Sequence, residues 1–148
     1  MNHSSGRIVV GVDGSDASLD ALRWALRQAE LTSCDVEAVT SWQQPIGYGA
    51  DFAAESENWE VLAKTNLDEA LAKVDAEGVE VKRTVSQGHP AEVLTNASTN
   101  ADLIVVGSRG HGGFAGMLLG SVRRHVSAHA HCPVLVVRHL DAEPSASR

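Results

Sequence analysis

Leu103–Val106 is an unbroken apolar run, Leu-Ile-Val-Val, and it leads directly into a stretch crowded with glycine, from Gly107 to Gly120. A strand that is apolar on both faces must be covered on both faces. That condition is met in the middle of a parallel sheet with helices above and below. The rest of the chain has to supply neighbouring strands and the covering helices.

It does so by alternation. Arg7–Val12 is apolar and β-branched and reads as a first strand. Ser15 or Asp16 can cap a helix that carries Leu19, Leu22, Ala25, Leu26 and Ala29 on one face. Val36–Trp42 reads as a second strand, followed by a loop whose breakers are Pro45, Gly47 and Gly49. A long helix is expected over Ser56–Ala76, with Gly78 after its end. Glu80–Val85 reads as a third, half-exposed strand, and Pro90 opens a short helix to about Ser98. The fourth strand is Leu103–Val106, a last helix is expected over Gly120–Ala130, and Val134–Val137 is the fifth strand. Strands joined through helices pair in parallel with right-handed crossovers. The expected fold is α/β: an open, doubly wound, five-stranded parallel sheet in the order 3-2-1-4-5, with helices on both faces.

The 148 residues fit one domain, with a core over about 6–140, no internal repeat and a polar tail after Leu140. Aromatic residues make up only 4%, so the core falls to Val, Leu, Ile and Ala. A net charge of -7 argues against general binding to nucleic acid or anionic membrane, because phosphates would repel the chain. Cys34 and Cys132 make no disulfide framework and are expected to be packed thiols in a reducing compartment. No apolar run approaches the ~20 residues of a membrane span. Ile8–Val12 is too short for a signal peptide, so a cytoplasmic location is expected.

Six of the 13 glycines lie between Gly107 and Gly120. Without Cβ atoms, backbone N–H groups there can approach a ligand closely. The opening of a helix adds unpaired N–H groups and a favourable dipole for an anion, and Ser121 adds a hydroxyl. No Asp or Glu occurs between Asp102 and Asp141, while Arg109, Arg123, Arg124 and Arg138 do. A polyphosphate is tolerated in this stretch and repelled almost anywhere else. A merely flexible loop is the plainer reading, but it does not explain why the glycines follow a strand's C-terminal end, where open α/β sheets bind ligands. No Gly-Lys-Ser/Thr follows a glycine run, which excludes a Walker A loop. Gly110–Ala115 matches the loose G-x-G-x-x-A dinucleotide pattern, yet the acidic residue expected about 20 positions on is missing.

The spacing Gly107, Gly110, Gly120-Ser121 resembles the glycine signature of the universal stress protein family, in its ATP-binding branch. The similarity extends over Val10–Ser18, Gly88–Leu94, Ala101–Gly113, Leu118–Val122 and Cys132–Val137, nearly the whole chain. The resemblance implies a nucleotide-dependent stress sensor rather than a fast enzyme. It implies Gly11, Val12 and the strand end near Thr40 and Ser41 on the adenine side. Asp13 would lie at the ribose or base, and Val106 and Gly107 on the ribose side. Gly110, Gly120, Ser121 and Val122 would hold phosphates, with Arg109 among the binding residues and Mg²⁺ bridging phosphate oxygens. It also implies a two-fold homodimer through the edge strand Pro133–Val137, with Pro133 limiting the length of the pairing. Asp13 has an equally strong reading as a turn residue in Asp13-Gly14-Ser15. Alternatives are a dimeric interaction protein without nucleotide, a cyclic AMP binder, or a slow ATPase. Asp13 and His111 are the nearest options for a general base and neither belongs to a recognised catalytic set, so no catalytic residue is assigned.

His125 and His129 are four residues apart, with His131 and Cys132 just beyond, a spacing compatible with metal ligation. No carboxylate is near in sequence, and no metal site is expected. Val122, Val126 and Ala130 read as the buried stripe of that helix. Trp24, Trp42 and Trp59 are expected in the core or at an interface.

Overall fold

The computed structural model describes residues 6–43, 56–76, 78–108 and 112–138, and the side chains of these except at 56–58 and 112–120. The elements in chain order are β1 (Gly6–Gly11), α1 (Asp16–Thr32), β2 (Cys34–Trp42), α2 (Ser56–Ala72), β3 (Val81–Gln87), α3 (Pro90–Ala97), β4 (Leu103–Gly107), α4 (Gly112–His129) and β5 (Val134–Val137). A short 3-10 turn, Ser98–Asn100, follows α3. The five strands form one sheet in the order β3-β2-β1-β4-β5. All four pairings are parallel, as the alternation requires.

Each strand end is set by local chemistry. Ser15 caps α1, its side chain accepting from the Ser18 N–H, and Ser33 closes the helix in the left-handed conformation with its own N–H on the Ala29 carbonyl. Pro90 opens α3, where the His89 Nδ1 accepts from the Ala91 N–H at 3.1 Å. Ile104, Val105 and Val106 of β4 are at most 1% exposed, which confirms the central place of that strand.

Alternate strand residues face opposite layers. Ile8, Val10, Val36, Ala38 and Val105 pack with the buried faces of α1 and α2. Val9, Val39, Ile104 and Val106 pack with Ala91 and Leu94 of α3 and with Val122 and Val126 of α4. The expected stripe on α4 is therefore the buried one, with Ala130 packed partly against it.

Four expectations shift. The long helix ends at Ala72, not Ala76, because its last turn tightens: Lys73 N–H reaches Ala70 O and Val74 N–H reaches Leu71 O. The third strand runs to Gln87, paired opposite Trp42. The last helix begins at Gly112 rather than Gly120. Phe114, Ala115, Met117, Leu118 and Leu119 are adequate to good helix formers, and they outweigh interior glycines that cost about 1 kcal/mol each. Of the two places expected for Trp24, core or interface, the core is excluded. The residue is 45% exposed, with the Arg27 guanidinium 5.3 Å from its ring.

One polar cluster is built into the α3/α4 side of the sheet. Glu37, at a position buried in β2, pairs with Arg7 of β1 and accepts from Thr84 Oγ1 of β3 at 2.6 Å. Arg7 also donates to the Ala97 carbonyl at 3.0 Å. Below it, Ser98 is fully buried. Its Oγ donates to the Thr95 carbonyl and accepts from the His131 N–H, tying the end of α3 to the entry of β5.

Cys132 packs partly against this layer, as expected of a packed thiol. Burial pushes its pKa up, and the nearby Asp102 carboxylate pushes it further, against a smaller opposing effect of Arg7. Less of the thiol is thiolate at a given pH. Cys132 is therefore expected to be alkylated by iodoacetamide at pH 8 more slowly in the folded chain than in the chain unfolded in urea, as followed by peptide mass spectrometry. Alkylation as fast in the folded chain as in the unfolded one overturns this.

Candidate functional site

β1 has β2 on one side and β4 on the other, so the chain leaves the two halves of the sheet in opposite directions at the C-terminal ends of β1 and β4. Open α/β sheets form their binding crevice at this kind of reversal. A cleft of about 310 Å³ lies there. Its floor is made by the strand ends: Gly11 and Val12 after β1, Val39 to Trp42 on β2, and Val106 and Gly107 on β4. Trp59, Leu62, Ala63 and Asn66 of α2 form one wall. Pro90 and Leu94 of α3 and Val122 of α4 form another.

Space is tight at two of these strand ends, against a movable side chain at Gly11 and against fixed backbone at Gly107. A Cβ on Gly11 would come within 2.9 Å of Leu94 Cδ1. A Cβ on Gly107 would come within 2.8 Å of the Ala17 carbonyl carbon, in the first turn of α1. The turn into α1 also uses Gly14, whose φ of +84° is in the left-handed region.

The polar groups of the cleft are few and partly engaged. Asp13 accepts from the Ser15 N–H at 2.9 Å and from Ser15 Oγ at 2.6 Å, both on Oδ1. The turn role read from Asp13-Gly14-Ser15 is therefore real, and the same residue lines the cleft. Thr40 Oγ1 donates to the Val12 carbonyl at 2.8 Å, and Ser18 Oγ donates to the Ser15 carbonyl at 3.0 Å. Among the described lining residues Asp13 is the one carboxylate, and there is no Lys or Arg.

Of the residues singled out from sequence, the structure brings Gly11, Val12, Asp13, Ser41, Val106, Gly107 and Val122 to this one cleft. Ser121 does not line it. It is exposed on α4, one residue before Val122. Gly120 also lies within α4, so the helix does not open there as expected. Arg109 and Gly110 lie outside the described residues. Sequence reasoning missed the α2 wall. Residues 59, 62, 63 and 66 do share a helix face by spacing, but nothing local tells a face that meets a cleft from one that meets a core. Trp42 and Trp59, expected in the core or an interface, line the cleft.

Among the described residues there is no group of three or more His, Cys, Asp or Glu able to hold a metal ion. No helix among them is long and apolar enough to cross a membrane.

Comparison with known proteins places this geometry. The chain is 33% identical over 144 residues to universal stress protein Rv2624c of Mycobacterium tuberculosis, covering 93% of this chain and 50% of that protein. It thus spans about half the length of that relative. Among solved structures it is similar to a universal stress protein in complex with cAMP, at 28% identity and a TM-score of 0.58, covering 91% of this chain and 98% of that one. An Arabidopsis thaliana universal stress protein family protein with AMP bound shares the fold, at 19% identity and a TM-score of 0.63, covering 93% and 94% of the two chains. The profile of the universal stress protein family matches residues 5–138, and with the sheet order and the crevice at its reversal point this makes the chain a member of that family.

Proposed function

We propose that the chain binds ATP in this cleft, with Mg²⁺ on the phosphates, and acts as a nucleotide-dependent stress-response sensor rather than a fast enzyme. The observation that carries the reading is the cleft itself: about 310 Å³ at the sheet's reversal point, walled by apolar residues with a few polar groups at one side. That size is at the lower end of the roughly 300–1,000 Å³ typical of small-molecule sites. Adenine packs among Val12, Val39, Leu94 and the α2 wall, where its flat apolar faces are matched. Asp13 holds its Oδ1 in the turn and offers Oδ2 to ribose hydroxyls, beside Val106 and Gly107. Ser41, at the end of β2, faces the base.

The phosphates run from Gly107 toward the glycine-rich stretch. Arg109, Gly110 and the first-turn amides of α4 are the donors there, in the manner of other helix N-termini that hold anions. Gly120 and Ser121 join them when the glycine-interrupted N-terminal half of α4 unwinds, since their amides are otherwise committed to the helix. Asp13 is the only carboxylate among the described lining residues, and Mg²⁺ would be held chiefly by phosphate oxygens and water, as that ion commonly is. The proposal extends to a cytoplasmic homodimer paired through Pro133–Val137, since β5 is an edge strand of the sheet.

Cyclic AMP is a second reading, favoured by the solved relative that carries it. Melting curves decide among these. Ligand at 100 times its dissociation constant adds about 2.7 kcal/mol. For a domain of this size that raises Tm by roughly 5–10 °C. ATP with Mg²⁺ is expected to give that shift at millimolar concentration. A shift with cyclic AMP alone transfers the site to the second reading. No shift with either overturns nucleotide binding.

A further inference from the structure

His125 and His129 sit one turn apart on α4, at the flank of the stripe buried through Val122 and Val126. His129 is exposed and His125 half-buried. Their ring centroids are 4.5 Å apart and their planes are tilted by 43°. That separation has a chemical meaning. An imidazole nitrogen ligates a metal at about 2.0–2.1 Å and the ring centre lies about 1.1 Å behind it, so a shared ion sits roughly 3.2 Å from each centroid. Two centroids 4.5 Å apart then subtend close to a right angle at the ion. A tetrahedral angle would need about 5.2 Å on the same arithmetic.

We infer that His125 and His129 form a two-point chelating site for a divalent transition cation of the Ni²⁺ or Cu²⁺ type. Those ions accept nitrogen ligands at right angles, in octahedral or tetragonal geometry, and fill the remaining positions with water. The surroundings are permissive. At about 100° per residue, Arg124 projects from the side of α4 opposite Val126 and Arg123 from the other flank of the buried stripe, so neither shares the histidines' flank. Ser121, one turn earlier, is exposed and uncharged. Among the described residues no further His, Cys, Asp or Glu completes a metal-holding group with the pair, which makes the site a chelate completed by solvent rather than a closed structural centre. A bound ion would clamp the last two turns of α4, just ahead of the entry to β5.

The chain has seven histidines, so the test must say where the ion goes. The full chain, labelled with ¹⁵N, is titrated with NiCl₂ and paramagnetic loss of amide signals is read residue by residue. Signals over 125–129 are expected to vanish within the first two equivalents. His125→Ala and His129→Ala should each require at least tenfold more Ni²⁺ for the same loss at those positions. His131→Ala, outside the pair, should leave the titration of α4 unchanged. His129 is exposed and His125 half-buried, and helical content by circular dichroism checks that each variant folds. Loss confined to other parts of the chain overturns the inference, as does either single variant titrating like the unchanged chain.

Discussion

Arg7→Ala is expected to lower the unfolding free energy by about 3 kcal/mol, because it leaves the Glu37 carboxylate buried with a single hydroxyl for company. The side chain of Glu37 is 8% exposed and that of Arg7 is 31% exposed. The acid is thus the member that cannot return to water. Its remaining partner would be Thr84 Oγ1, at 2.6 Å. Breaking a fully buried pair from one side typically costs about 3–5 kcal/mol, and the partial exposure of Arg7 puts this case at the lower end. The Ala97 carbonyl also loses its donor. For a chain of this size the loss lowers Tm by roughly 6–12 °C. Glu37→Gln should cost less, about 1–2 kcal/mol, since it removes the buried charge while keeping a group that Thr84 can bond. Chemical denaturation of the two variants checks the order. An Arg7→Ala loss below about 1 kcal/mol would mean that Glu37 finds water in the folded protein.

The same cluster shows where sequence reading stopped. The strands were legible because each is a short β-branched run between breakers, and parallel pairing followed from the helices that join them; the order 3-2-1-4-5 is one of the doubly wound orders such an alternation allows. Nothing in Arg7 or Glu37 alone marks them as partners, since they lie on separate strands and meet only through the register that sets Arg7 beside Asp35 and Glu37 beside Val9. The cleft divides in the same way. The turn at Asp13 and the glycine-rich stretch from Gly107 were readable because turns and strand ends impose chemistry on single residues, whereas Gly11 and Val106 came only with the family resemblance. The α2 wall was not readable, because Trp59 and Asn66 acquire their role from the distance between α2 and β1, which no local pattern encodes. The start of α4 was misplaced for a third reason. Glycine spacing pointed to a loop as far as Gly120, while the intervening Phe114–Leu119 run favours helix, and the two signals compete within the same residues.

Gly107→Val is the substitution expected to damage both stability and ligand binding, and its effect should exceed that of altering a turn glycine. The ideal Cβ position at Gly107 lies 2.8 Å from the Ala17 carbonyl carbon and 2.9 Å from its oxygen. These are backbone atoms, and they cannot rotate aside as a side chain can. To admit even a methyl group, the first turn of α1 must lift from the end of β4. Overpacking of this kind costs about 1–3 kcal/mol, and the two further methyl groups of Val put the expected loss near 3 kcal/mol. The same displacement moves Ser15 and Asp13, which are joined through Oδ1, away from the cleft floor. Nucleotide affinity should therefore fall with stability. Gly14→Ala supplies the contrast. Nothing lies within 4 Å of its would-be Cβ, and its cost is only that of holding φ at +84°, about 1–2 kcal/mol. Melting curves with and without ATP separate the two. Gly107→Val should melt lowest and lose the ligand shift, whereas Gly14→Ala should keep the shift at a modestly reduced Tm. If Gly107→Val melts with the unchanged chain, then α1 and β4 are not as close as the strand end requires, and the floor of the proposed site is drawn wrongly.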